Sequence, residues 1–189
     1  MKGQAVQNAD DRVATGHGFT ELWHRYQRPL TYFVSSLLRR GVGGDAAAEA
    51  EDAVQEIMLK VYRSLDRYDG RRSMSAWVYT IARNHCADLR RKRRVLRMPL
   101  DQDDEGVEAV AGERYRTPEQ AYLAEELRRS IDTFMATLGP EDRSVLFLRF
   151  YEELPYGEIA AVTGRPEGTV RYRVHELKRH LKDYLEDEA

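Results

Sequence analysis

Apolar residues return along this chain at three- and four-residue steps, in one block after another, and nowhere alternate with polar ones. In the first block Phe19, Trp23, Tyr26, Leu30, Phe33 and Leu37 predict a helix over 19 to about 38, with Pro29 inside it and expected to kink or break it. The run RRGVGGD follows as a glycine-rich loop, and Asp45 suits the cap of the next helix. That helix, 46 to about 65, buries Ala50, Val54, Ile57, Val61 and Leu65. Asp69-Gly70 opens a turn that ends near Ser75, a good N-cap. A third helix, 76 to about 94, carries Trp77, Val78, Ile81, Ala82 and Leu89 on one side. From about 95 to 117 the periodicity stops, and MPLDQDDEGVEAVAGERYRTP has the composition of a flexible linker. It resumes near Pro118 with Leu127, Ile131, Phe134 and Leu138 on an amphipathic helix. Gly139-Pro140 ends that helix, and another is expected over 141 to about 151. The fold class expected is all-α: two small helical domains joined by a flexible acidic linker. The divisions are a tail at 1–17, a first domain at 18–95, a linker at 96–117 and a second domain at 118–186.

The last block has a more specific pattern. A short helix from about 156 to 162 meets Gly164, which supplies the positive φ of a tight helix end. Pro166 suits the first turn of the helix that follows. There Val170, Val174, Leu177 and Leu181 form one buried stripe, and Arg171, Tyr172, His175, Glu176 and Arg179 fall on the opposite face. Two short helices around a Gly-x-Pro turn, with cations, an aromatic ring and hydrogen-bonding groups facing outward, read as a helix-turn-helix for the major groove of DNA. The competing reading is a solvated face on an ordinary helix pair.

Composition narrows the classes. The 189 residues are 42% hydrophobic and 33% charged, with a net charge of only −2. The charges are segregated: eleven Lys/Arg against three Asp/Glu over 63–97, nine acids against two arginines over 101–126, and five acids with no base over 45–56. Segregation with a near-neutral sum implies separate surfaces for separate partners. The single cysteine, Cys86, excludes an internal disulfide and a Cys-rich zinc site, and suits a reducing cytoplasm. The N-terminus lacks the apolar core of a signal peptide, and no stretch approaches a membrane span, so no membrane insertion is expected. His17, His24, His85, His175 and His180 make no metal-ligand spacing, and neither a phosphate loop nor a nucleophile–base pattern occurs. Neither an enzyme nor any cofactor is expected.

The order of motifs resembles the extracytoplasmic-function (ECF) sigma factors of the sigma-70 family. AEDAVQEIMLKVYRSLDRYDG is similar to their region 2.2, and RRSMSAWVYTIARNHCADLRRKRR to regions 2.3 and 2.4. LGPEDRSVLFLRFYEELPYGEIAAVTGRPEGTVRYRV is similar to regions 4.1 and 4.2. The resemblance implies a factor that binds the clamp of core RNA polymerase, captures melted −10 promoter DNA with its first domain and reads the −35 duplex with its second. It also implies an anti-sigma factor as partner, and a linker that enters the polymerase channels.

Site residues follow from both readings. With Val54 buried, Asp52, Glu56, Leu59 and Arg63 face outward, with Gln55 at the margin. The family's Asp-x-x-Gln-Glu pattern falls on Asp52, Gln55 and Glu56 and implies the polymerase contact. Arg90, Arg91, Lys92, Arg93 and Arg94 exceed what a helix dipole needs and suit phosphates. The resemblance assigns Asn84 and the loop 68–75 to an extruded −10 base, and Tyr68 offers an aromatic wall. Trp77 and His85 lie on the buried stripe and read as core residues. On the −35 face Arg171, Tyr172, His175 and Arg179 are the expected readers, with Arg173 and Lys178 on the flanks toward phosphates. Glu176 stands where the family often has Arg; it either alters the sequence preference or pairs with Arg173 or His180. A free-standing helix-turn-helix regulator, dimeric on symmetric half-sites, is the alternative.

Overall fold

The computed structural model describes residues 18–38, 46–95 and 117–187. The expected tail at 1–17, the glycine-rich loop at 39–45 and the linker from 96 to 116 lie outside the described residues. Among the described residues every regular element is helical.

Helix α1 (Gly18–Leu38) runs on through Pro29, so of the expected kink or break, the break does not occur. An internal proline costs about 3 kcal/mol. Leu22, Tyr26, Leu30, Phe33, Val34 and Leu37 are all buried along the same helix. At about 1.5–3 kcal/mol for each such side chain, burial outweighs the missing hydrogen bond. Helix α2 (Ala46–Ser64) ends in a single 3-10 turn, Leu65–Arg67. Helix α3 (Met74–Val95) then packs on both.

The C-terminal bundle consists of α4 (Pro118–Thr137), α5 (Pro140–Leu146), α6 (Tyr156–Thr163) and α7 (Glu167–Asp187). Instead of one helix over 141–151, α5 stops at Leu146 and a wider π-helical turn, Phe147–Tyr151, follows. Val145, Leu146, Phe147 and Leu148 are buried in succession, which a helix with one apolar face cannot achieve. This segment is covered on two sides. Its hydrogen bonds close through Glu152 N–H to Phe147 O (3.2 Å) and Leu154 N–H to Leu148 O (2.9 Å), across Glu153 at φ 55°.

The second side of that cover is the first bundle. Phe147 stacks on Tyr32 (5.5 Å between centroids) and lies against Phe33 (5.3 Å) and Tyr79 (5.6 Å). Arg143, itself buried, donates to Met135 O and Ala136 O in its own bundle and to Ser36 O at the end of α1 (3.2 Å). One continuous core therefore joins residues of α1–α3 to Phe147, Leu148, Leu154, Ile159 and Val162. The picture of two tethered bundles is incomplete: among the described residues they are packed together. A smaller cluster of Phe134, Leu146 and Leu177 seats α4 on α7. Only the C-terminal half of α4 is seated. Leu127, expected on the apolar stripe, is exposed, as are Tyr122 and Leu123. No described helix is long and apolar enough to cross a membrane.

Candidate functional site

Three surfaces carry the residues singled out in the sequence. The first is the outer face of α2. Asp52, Gln55, Glu56, Leu59 and Arg63 are all exposed there. Leu59 is 50% exposed, and Tyr62, one turn on, is 59% exposed. Tyr62 was not anticipated; its signal was an aromatic three residues from an outward Leu. Its ring meets Phe19 edge-on at 5.0 Å. Two apolar groups among charges give this face the make-up of a docking surface.

Behind it lies His85, only 4% exposed, as expected of a core position. Lys60 Nζ stands 2.7 Å from its Nδ1. An ammonium only donates, so Nδ1 is the acceptor and the proton sits on Nε2. Nε2 is buried without a hydrogen-bond partner, and Glu56 Oε2 stands 3.5 Å from it. Burial first, and Lys60 second, push its pKa below the ordinary value, so the ring is neutral.

The second surface surrounds α3. The N-cap is Ser73 rather than Ser75: its Oγ accepts from Ala76 N–H at 3.1 Å. Ser75 is buried and shares a 2.8 Å hydrogen bond with Tyr26. The start of α3 is also held from the other bundle. Glu158, on α6, accepts from Ser73 N–H (2.9 Å) and from Ser73 Oγ (2.5 Å), one oxygen to each. Tyr79, fully buried, donates to Glu152 at 2.7 Å. Burial, then the Glu152 charge, push the Tyr79 pKa well up, and burial raises that of Glu152. Neither glutamate's role is legible along the chain, because a carboxylate that caps a distant helix looks like one that faces water.

Around that start, Tyr68 packs on Trp77 at 5.4 Å and donates to Arg72 O. Trp77 is half-buried and Asn84 is exposed. Of the basic run, Arg91 pairs with Asp88 (2.9 Å) and Lys92 is exposed. Arg90 lines a cleft between the bundles with Arg83, Arg165 and Glu141. Arg93 and Arg94 are helical, but their side chains lie outside the described residues. Desolvation, then Arg90 and Arg165, lower the pKa of Arg83. Glu141 pairs with Arg165 in the same cleft. Cys86 is buried, and its thiol pKa is pushed up to about 12, so it is unreactive.

The third surface is the helix-turn-helix. Gly164 takes φ 68° at the end of α6, as its position predicted. Pro166 falls one residue before α7, and Val170 N–H reaches back to its carbonyl. Val170, Val174 and Leu177 are buried, and Leu181 is half-buried. Arg171, Tyr172, His175, Lys178 and Arg179 are exposed. Arg171 is preset: Glu167 holds it at 2.8 Å, and its guanidinium lies over Tyr156 at 5.5 Å.

Arg173 and Glu176 behave differently. Arg173 donates twice to Asp142 on α5 (2.8 and 2.6 Å) and once to Glu176 (3.0 Å). Tyr172 donates to the other Glu176 oxygen at 2.9 Å. These hydrogen bonds, Tyr172 first, lower the Glu176 pKa, and Tyr172 is raised in turn. Between the two alternatives for Glu176, the geometry gives pairing with Arg173. The acid is half-buried at the edge of the reading face and already neutralised. Among the described residues no group of three His, Cys, Asp or Glu side chains could hold a metal ion.

Residues 22–95 match the model of sigma-70 region 2, and residues 128–181 that of sigma-70 region 4. The chain is 32% identical to the ECF RNA polymerase sigma factor SigW of Bacillus subtilis over 144 residues, covering 74% of this chain and 76% of that one. It is 35% identical to SigE of Mycolicibacterium smegmatis over 138 residues, which is 72% of this chain but about half (52%) of that relative. It is 29% identical to the ECF sigma-E factor of Escherichia coli over 97% of its length and 92% of the relative's. Among solved structures, the fold resembles sigma factor RpoE of Bartonella quintana, crystallised with the anti-sigma factor NepR (TM-score 0.60, 24% identity, covering 89% of this chain and 96% of that one). It also resembles CnrH in complex with the cytosolic domain of CnrY (TM-score 0.58, 22% identity, covering 98% and 99%).

Proposed function

The chain belongs to the sigma-70 family, as an RNA polymerase sigma factor of the ECF type, and on that premise we propose how its surfaces divide promoter recognition. Asp52, Gln55, Glu56, Leu59 and Arg63, joined by Tyr62, dock on the clamp of core polymerase. Tyr68, Asn84 and the basic end of α3 (Arg90, Arg91, Lys92, Arg93 and Arg94) take −10 DNA and promote its melting. Arg171, Tyr172, His175, Lys178 and Arg179 read the −35 duplex. Arg173 and Glu176 hold the reading helix on α5 rather than meeting DNA themselves. The observation that carries this reading is the exposed face of α2, where Leu59 and Tyr62 stand among charges. A free-standing DNA regulator has no use for it.

The two readers are weak alone and strong when polymerase fixes their spacing, because the second contact then becomes intramolecular. An anti-sigma factor is the regulatory partner we assign, and the cytoplasm the compartment. Run-off transcription with core polymerase across a randomised promoter library tests the proposal. Selection of two short elements at a fixed separation, only when core enzyme is present, is expected. Tight duplex binding at symmetric half-sites without core enzyme would instead identify a free-standing regulator.

A further inference from the structure

We propose that Tyr172 separates amino from keto bases in the −35 element, because its hydroxyl can only accept. The inference rests on the assignment of α7 to the −35 duplex and deepens it.

Four side chains form a relay from α5 to the reading face. Asp142, 16% exposed, accepts two hydrogen bonds from Arg173 (2.8 and 2.6 Å). Arg173 donates a third to one oxygen of Glu176 at 3.0 Å. The other Glu176 oxygen accepts from the Tyr172 hydroxyl at 2.9 Å. Tyr172 and Glu176 stand one turn apart on α7, so the helix itself brings them together. Glu176 is held from behind by a second helix, unlike a pair of side chains that meet only in water. An ionised carboxylate only accepts, so the phenol proton is committed to it. That bond is the first cause of the raised Tyr172 pKa and of the lowered Glu176 pKa.

Tyr172 is 64% exposed, and what it has left to offer is the lone pairs of its oxygen. Phosphate oxygens are acceptors too and gain nothing from it. In the major groove cytosine N4 and adenine N6 are donors, whereas guanine and thymine present acceptors and the thymine methyl. The hydroxyl therefore favours adenine or cytosine over guanine or thymine on the strand it faces. Arg171 and Arg179, exposed on the same face, carry only donors and suit the opposite set, guanine O6 and N7 or phosphate.

Glu176→Gln turns the relay around. A glutamine has one oxygen, and Arg173, a donor only, claims it. The amide NH2 then faces Tyr172 and donates to its oxygen, and the phenol proton turns outward to a keto oxygen.

The test is run-off transcription by core polymerase with the full chain, on a library randomised in the −35 element. Wild type, Tyr172→Phe and Glu176→Gln are compared, each checked for folding by circular dichroism. Wild type should favour adenine or cytosine at one position by about three- to tenfold, the range of a single hydrogen bond. Tyr172→Phe should lose that bias and keep the rest of the element. Glu176→Gln should shift it toward guanine and thymine. A wild-type chain without the bias overturns the proposal, as does a bias that survives Tyr172→Phe or that Glu176→Gln does not move toward keto bases.

NMR of isotope-labelled tyrosine reads the relay in the free chain, with Tyr172 assigned by its loss in Tyr172→Phe. Its hydroxyl should ionise above the ordinary phenol range in wild type and lower in Glu176→Gln, and equal values overturn the relay. If the relay is present but wild type supports no transcription from any template, the −35 reading itself fails, and the base preference falls with it.

Discussion

The outer face of α2 and the start of α3 belong to the same bundle and lie close in sequence, yet one is open and the other occupied. On α2 an exposed leucine sits among charged side chains beside a tyrosine that stays 59% exposed despite its edge contact with Phe19. At the start of α3 Ser73, Ser75 and Tyr79 each have a partner from the other bundle or from α1. The difference lies in what each face presents. The α2 face offers mainly charged side chains, which water solvates at little cost, and two apolar groups left for a partner. The start of α3 offers backbone donors at the positive end of a helix beside an aromatic gap, and both are stabilised by cover.

The strongest way to break this contrast is Phe147→Ala. It removes the ring that both bundles share and should cost about 3–5 kcal/mol in denaturant unfolding. Probes on α1 and on α7 should report the loss together; a loss confined to the C-terminal bundle would mean the core is not shared.

Arg171 and Arg173 repeat the contrast on one helix. Arg171→Ala should leave thermal stability unchanged and weaken −35 discrimination by about 1–3 kcal/mol in promoter competition assays. Arg173→Ala should do the reverse. It strands Asp142, which is 16% exposed, and should cost about 1–2 kcal/mol of stability after allowance for solvent screening. Equal stability of the two variants would reject the distinction.

Glu56→Lys tests the open face alone. Core polymerase affinity should fall about tenfold, roughly 1.4 kcal/mol. Thermal stability of the free chain should stay close to that of wild type, and a large fall would mean that Glu56 serves the packing of the fold rather than an open docking face.

The smallest expected effect is one of pH. Glu152 is faced by Tyr79, Ser75, Arg25 and Tyr151, and burial is the largest influence on it. Its pKa in the folded chain stands above the ordinary 4.5, so folding takes up a proton. This contribution to stability should therefore be present at pH below 4.5 and be lost as pH rises through the raised value. In Glu152→Gln this part of the pH dependence should vanish, and denaturant unfolding of both proteins across that pH range checks it.

Much of the fold was legible in the chain. Period-3.6 stripes located the helices to within a few residues, Gly164 marked the helix-turn-helix, and outward residues on α2 and α7 were placed by subtraction from the buried stripe. Three misjudgements have one cause. Pro29 reads as a breaker because local propensity counts only its missing N–H, whereas tertiary burial along α1 decides. Tyr79 lies off the predicted stripe of α3, and Val145 to Leu148 looked like part of one continuous helix. Both make sense only for elements covered on two sides.

The sequence by itself determined the helices, their apolar faces and the family, because these depend on spacings within a turn or two and on motifs in order. Only the tertiary structure decided which carboxylates are partners and which are solvent. Glu158 meets Ser73 across 85 positions, and Arg173 meets Asp142 across 31. A charge carries no record of its partner in its neighbours along the chain. Whether it faces water or a helix end depends on how separate elements pack, and here that packing is what covers the start of α3 while leaving α2 open.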